Sequence, residues 1–262
     1  MPFPTVKRVR YGKKPLKRVV CQLRFSPILR VDAEVPAPFQ EHIKSGFPNL
    51  IDKSELTLDA PDGSQINLVS NMVRLAPSLM KNYEFVSEDG RWKVNLTRTF
   101  MALSTEDYDS WERFKESLTL PLTALRAVYA PEYFTRVGLR YFDVFDKAAL
   151  GLDEVPWSEL LSPNVLGSLG SAQLADDVMA SESRADIRLD LDNGMVRLQT
   201  RFSSLQESMS KQFEIDSDFF AVGQIPRDEG ESLLDSLHAK AHSLLRWCIT
   251  DKLHEAMEPT PI

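Results

Sequence analysis

The chain has 262 residues, 43% of them hydrophobic, and only two cysteines; it is long enough to bury a sizeable core and too poor in thiols for a disulfide framework or a four-thiolate zinc site. Its longest apolar runs fall far short of the roughly 18 residues that cross a bilayer, and no apolar stretch follows the basic N-terminus, so neither a membrane span nor a signal peptide is expected. The formal net charge is −7, yet residues 1–18 hold Lys7, Arg8, Arg10, Lys13, Lys14, Lys17 and Arg18 without a single acid, which leaves −14 on the remainder.

Residues 1–15 are expected to be an extended basic leader, loosely held, that feeds the apolar-rich strand in KRVVCQLRF. Further on, YEFVSEDGRWKVNLTRTFMAL alternates with the period of a strand, and Asp89-Gly90 suits a two-residue hairpin turn. That turn sets Phe85 opposite Val94 and Tyr83 opposite Leu96, with the apolar residues on one face. A helix follows in DSWERFKESLTLPLTALRAVY, where Trp111, Phe114, Leu118, Leu122, Leu125 and Tyr129 recur at helical spacing and Pro121 should kink or split it. Beyond the strand in TRVGLRYF, residues 162–177 (SPNVLGSLGSAQLADD) read as the most loop-like interior piece. In ADIRLDLDNGMVRLQTRF, Asn193-Gly194 is a strong turn signal, and a two-residue turn there sets Asp190 across from Arg197 and Asp186 across from Arg201. The last helix carries Leu234, Leu237, Ala241, Leu244, Cys248 and Leu253 on one stripe, before a loose tail at 259–262. Asp109 with Glu112, and Asp228 with Glu231, read as capping pairs for the two long helices.

A shift of 119 residues lays Val94 on Phe213, Leu96 on Ile215, Phe100 on Phe219, Ala102 on Ala221, Leu118 on Leu237 and Leu125 on Leu244. This agreement implies a duplicated strand-helix-strands-helix unit, 16–130 and then 131–258, the two fused into one domain. The expected fold class is α+β: a large curved antiparallel sheet covered on one side by helices, because sheets with one apolar face need helices laid over it.

VVCQLRFSP, the helix PAPFQEHIKSGFP, the strand RVGLRYFDVF and the terminal LHAKAHSLLRWCITDKLHEAM together resemble a sporadically distributed bacterial family of unknown function, over about residues 16 to 257. The resemblance implies a bacterial cytoplasmic protein, patchily inherited, of the kind that travels with genome defence, toxin control or mobile elements. It supplies no catalytic residues.

Signals for chemistry are sparse. His238 and His242 stand four apart on the last helix with Asp235 a turn earlier, a spacing that suits a metal, but no third ligand lies at a telling distance and packing is the expected role. Glu214, Asp216 and Asp218 share one strand face and, with Asp186 and Asp190, would form the acidic cluster of a metal-dependent hydrolase or nuclease; the arginines opposite argue instead for a solvated sheet surface. GSLGS at 167–171 lacks the lysine of a phosphate loop, no serine sits in a nucleophile elbow, and neither Cys21 nor Cys248 has an electropositive setting. No cofactor is called for, and catalysis is less expected than binding.

The leader therefore carries the candidate binding residues: Lys7, Arg8, Arg10, Tyr11, Lys13, Lys14, Lys17 and Arg18. Three readings stay open for it: an arm on nucleic acid with Tyr11 stacked on a base, a solvated leader that keeps an edge strand soluble, and a contact with an acidic protein surface, including a second copy of the chain. The acidic body favours the protein contact, so the expected function is that of an adaptor, regulator or immunity-type factor in a bacterial defence setting such as antiviral defence. Deleting residues 1–14 is expected to leave the melting temperature nearly unchanged.

Overall fold

A computed structural model describes residues 3–53, 56–59, 65–68, 81–204 and 212–261. In chain order the first elements are β1 (Val9–Tyr11), β2 (Leu16–Phe25), α1 (Arg30–Ala33), α2 (Ala37–Ile43), β3 (Asn49–Lys53), β4 (Leu56–Asp59), β5 (Gln65–Leu68), β6 (Asn82–Val86), β7 (Trp92–Leu96), β8 (Phe100–Thr105) and α3 (Trp111–Val128). They are followed by β9 (Tyr133–Asp146), α4 (Lys147–Leu150), α5 (Trp157–Leu160), α6 (Pro163–Leu166), β10 (Ala180–Arg188), β11 (Gly194–Ser203), β12 (Gln212–Pro226), α7 (Gly230–Cys248), α8 (Asp251–Ala256) and β13 (Pro259–Pro261). The fold is α+β: β2, β3 and β6 to β12 belong to a nine-stranded sheet, antiparallel in every pair whose register is described. The chain divides into two compact units, Val20–Val137 with Gly223–Gly230, and Met1–Val19 with Gly138–Val222 and Glu231–Ile262.

In the unit centred on Val20–Val137, the strands run β3-β6-β7-β8. The β6–β7 register is the one that Asp89-Gly90 implies, with Phe85 opposite Val94 and Tyr83 opposite Leu96. Gly90 takes the left-handed backbone (φ 74°) while the Asp89 carboxylate accepts from the Ser87 hydroxyl at 2.6 Å and the Arg91 amide at 3.0 Å, so the aspartate shapes this turn through its side chain. Phe39 of α2 packs on Phe85, and Phe114 of α3 packs on Trp92, so both helices lie over the apolar face of these strands. Pro121 sits inside α3, which continues unbroken through it. The cap of α3 is Ser110, not the expected Asp109: its hydroxyl accepts from the Arg113 amide at 3.2 Å because Ser110, at φ −144° and ψ 160°, is the last extended residue before the helix. Ser110→Ala should therefore cost about 1 kcal/mol in a denaturant titration.

In the second unit, β10, β11 and β12 are successive antiparallel neighbours, and β11 alternates strictly, with Gly194, Val196, Leu198, Thr200 and Phe202 inward. Trp157 of α5 meets Phe202 and Phe213 on that inner face. The β10–β11 register differs from the expected one by four residues: Asp186 lies opposite Arg197 and Arg188 opposite Met195. The turn is wider than two residues, closed by the Gly194 amide on the Leu191 carbonyl and the Leu189 amide on the Gly194 carbonyl, each at 2.9 Å, with Asn193 alone at positive φ (48°). Burial of Leu189 and an ion pair between Asp190 and Lys240 draw the end of the expected strand into this loop. Residues 162–177, expected to be a loop, contain α6 and the 3-10 turn Gly167–Gly170, anchored by buried Val165, Leu166 and Leu169. The terminal helix is interrupted: α7 ends at Cys248, Ile249 bridges to Leu161, and Thr250 caps α8.

The 119-residue offset fits from Phe100 onward, where β8 and α3 fall on the end of β12 and on α7. It fails before that, since Val94 and Leu96 lie in β7, hairpinned to β8, whereas Phe213 and Ile215 lie in the same unbroken strand as Phe219. A repeated period-two apolar pattern cannot tell a hairpin from a continuous strand.

Candidate functional site

The segments expected to hang loose at the two ends of the chain form a ladder with each other. Val9, Arg10 and Tyr11 pair antiparallel with Pro261, Thr260 and Pro259. The ladder continues through the Gly12 amide on the Glu258 carbonyl (3.1 Å) and the Lys13 amide on the Met257 carbonyl (3.0 Å). Two prolines suit this edge because a proline has no N–H to leave unpaired there. A Cβ on Gly12 would stand 2.9 Å from the Glu258 carboxylate and 3.2 Å from its Cβ, so the two segments approach closely at this position.

Apolar and aromatic side chains fasten the leader. Phe3 (4% exposed) packs on Trp247 at 5.6 Å between ring centroids, and Tyr11 (8% exposed) stands edge-on to His254 with its hydroxyl 2.9 Å from Nδ1. Pro15 is buried and its carbonyl accepts from the Val144 amide at 2.9 Å. Two more histidines of α7 take part: His242 Nε2 lies 2.9 Å from the Lys7 carbonyl, and His238 Nε2 lies 3.4 Å from Arg8 Nη2. Burial pushes the Tyr11 hydroxyl up to about 12, against a smaller opposing pull from Arg246.

The cations of the leader remain exposed. Lys7, Arg8, Arg10, Lys13, Lys14, Lys17 and Arg18 are all exposed, on a segment whose backbone and apolar side chains are fixed. Lys13 pairs with Glu258 at 3.2 Å in open solvent, and Arg18 lies over the Phe142 ring at 4.2 Å. The candidate cations are thus exposed along one docked segment, with Tyr11 buried beneath it.

The remaining candidates are engaged elsewhere. His238 Nδ1 meets the Tyr141 hydroxyl at 2.8 Å, and no group of three potential ligands for a metal ion occurs among the described residues. On β12 Asp216 receives both Arg140 nitrogens and Glu214 receives Arg201, and on β10 Asp186 receives Arg197. Burial raises both cysteine thiols, Cys21 to about 12, which leaves them protonated and unreactive.

One residue was not singled out from the sequence. Asp143 on β9 is 6% exposed, and burial, with a further push from the Asp216 carboxylate, raises its carboxyl from 3.8 to about 7. Its field reaches both Tyr11 and Cys248. The signal was an aspartate in the inward phase of RVGLRYFDVF, between buried Tyr141 and buried Phe145.

No helix among the described residues is long and apolar enough to cross a membrane. No protein-family model matches the chain, and neither a curated protein nor a solved structure matches it.

Proposed function

We propose that this is a binding protein that uses its docked basic leader as a contact surface for an acidic protein. The observation that carries the reading is the separation of roles along residues 3–18: buried apolar anchors hold the segment in place while its seven cations stay exposed. A segment already fixed in its binding geometry avoids most of the ordering cost that a loose arm meets on association. The withdrawal of Tyr11 counts against nucleic acid, since the one aromatic on the leader's ladder strand is packed on His254 and cannot stack on a base. The −14 remainder of the chain would also repel a long nucleic-acid duplex that extends beyond the leader. A metal-dependent hydrolase built on the acidic strand is disfavoured because arginines neutralise Asp216, Glu214 and Asp186 and no group of three potential metal ligands occurs among the described residues. The resemblance of VVCQLRFSP and RVGLRYFDVF to a patchily inherited bacterial family supports a setting in defence or toxin control, with the protein as adaptor, regulator or immunity-type factor.

The test compares the full chain with a variant carrying Lys7→Gln, Arg10→Gln, Lys13→Gln, Lys14→Gln and Lys17→Gln, which leaves the anchors, Arg8 and Arg18 in place. A polyglutamate peptide should bind the parent at least about tenfold more tightly than the variant, with equal melting temperatures at low salt. Duplex DNA bound more tightly than the peptide, with a log-log salt slope of roughly −6, would install the nucleic-acid reading instead. Dimerisation of the parent that the variant loses would identify the acidic surface as that of a second copy.

A further inference from the structure

We propose that the chain forms a twofold dimer by pairing β10 antiparallel with β10 of a second copy, in one register that its charges select. β10 (Ala180–Arg188) stands at the end of the sheet order with β11 as its neighbour. Seven of its nine residues are exposed, and Ser181 and Ile187 are half-buried. A strand edge of this length offers a row of open amides and carbonyls to another strand.

Two bonds at the strand's ends show which backbone groups are open. The Leu189 amide donates to the Gly194 carbonyl, and the Met179 carbonyl accepts from the Ser204 amide, each at 2.9 Å and each in line with the β10–β11 register. The odd-numbered residues between them therefore direct their backbone groups at β11, while Glu182, Arg184, Asp186 and Arg188 direct theirs at the open edge. Among the described residues no backbone hydrogen bond reaches these four from that side.

The same four residues carry the charges of the strand's outer face, in the order Glu, Arg, Asp, Arg. Run antiparallel to itself about a twofold axis at Ala185, this order is its own complement. Glu182 lies opposite Arg188 of the second copy and Arg184 opposite Asp186 of the second copy, and the symmetry repeats both pairs. All four are hydrogen-bonded pairs, which gives about eight backbone bonds. A slip of two residues, the smallest that preserves those bonds, brings like charges together. In one direction Arg184 meets its own counterpart and Glu182 meets Asp186; in the other Asp186 meets its own counterpart and Arg184 meets Arg188.

The neighbouring strand leaves these pairs to be made. On β11 Arg184 lies opposite Gln199 and Arg188 opposite Met195, neither of them an acid. Asp186 holds Arg197 at 2.8 Å and Arg184 at 3.4 Å, and Glu182 lies 3.7 Å from Arg201, which also reaches Glu214 on β12. A second copy sets each of these carboxylates between two guanidinium groups and continues the alternation of sign that runs from Glu214 through Arg201 to Glu182. Ser183 and Ala185, small and exposed on the other face, put no bulk at the twofold. Exposed ion pairs add little affinity, so the backbone ladder supplies the attraction and the charges select the register. An interface this short implies a dissociation constant on the order of 10 μM. The pairing uses no residue of the leader and stands apart from the contact surface proposed above.

Sedimentation equilibrium of the full chain between about 1 and 200 μM should show a monomer passing into a dimer. Ala185→Cys sits where facing Cα atoms of a non-hydrogen-bonded pair are about 4.5 Å apart, and it should crosslink under mild oxidation. Ser183→Cys should not, because Ile187 of the second copy lies opposite it; Cys21 and Cys248 are buried and take no part. Arg184→Glu with Arg188→Glu should weaken self-association at least about tenfold, as should Glu182→Arg with Asp186→Arg, and an equal mixture of the two chains should restore the dimer. Should the second of these fold poorly, having lost the acids that Arg197 and Arg201 meet, the first and the two cysteine variants decide. A parent that stays monomeric at about 200 μM, equal crosslinking at both cysteines, or a dimer that survives Arg184→Glu with Arg188→Glu would overturn the inference. So would a dimer lost in the five-residue leader variant. Protection of the Glu182, Arg184 and Asp186 amides from exchange should rise with concentration; protection independent of it would place a segment of the same chain on the edge and overturn the pairing as well.

Discussion

Deleting residues 1–14 should lower the melting temperature by roughly 10 °C at pH 7.5, an effect of about 3–5 kcal/mol in a protein of this size. The truncation removes Phe3 from Trp247 and Tyr11 from His254, strips β13 of its ladder partner and exposes the α7 surface beneath. Fully burying an aromatic side chain is worth about 1.5–3 kcal/mol, and two are lost, less the entropy regained by the segment no longer held. Point variants divide the effect. Tyr11→Phe, which loses only the hydroxyl contact with His254, should cost about 1 kcal/mol, whereas Tyr11→Ala should cost about 3 kcal/mol. Calorimetry on the four proteins measures this directly, and a truncated chain that melts with the parent would mean that the leader only rests on the surface. This reverses what composition implies for a run of seven cations, since charge density at a chain end gives no sign of whether a ladder partner exists 250 residues away.

What was legible in the sequence was local. The β6–β7 register follows from apolar alternation on both sides of Asp89-Gly90, and the stripes of α3 and α7 follow from helical spacing. The β10–β11 register was not legible, because the preference of Asn193-Gly194 for a tight turn yields to the burial of Leu189 and to the pull of Lys240 on Asp190, a partner 50 residues distant. The leader shows the same limit more strongly. Its cations were visible as charge, but Phe3 and Tyr11 are single aromatics in a polar run, with no periodicity to mark them as anchors. Their burial depends on Trp247 and His254, and the histidine spacing that resembled a metal site instead arises because α7 and α8 line up three rings along a docked strand.

Asp143→Asn should stabilise the protein at pH 8 by roughly 2–4 kcal/mol and lose most of that advantage below about pH 5. The wild-type carboxyl is raised from 3.8 to about 7, first by burial and then by the nearby Asp216 carboxylate, so the folded state binds the proton more tightly than the unfolded chain does. The resulting stability is fully present below 3.8, declines as the pH rises, and is gone above about 7, where folding must bury a charge. Asparagine keeps the shape and carries no charge at any pH, so the two melting curves should approach each other in acid and separate in base. Arg140→Gln sharpens the test: Arg140 holds Asp216 with two nitrogens, and removing that counter-charge leaves the Asp216 field on Asp143 unopposed, so the wild-type carboxyl should titrate higher still. Melting temperatures for the parent and Asp143→Asn between about pH 4 and pH 9 that run parallel throughout would show that Asp143 is not the group carrying the proton.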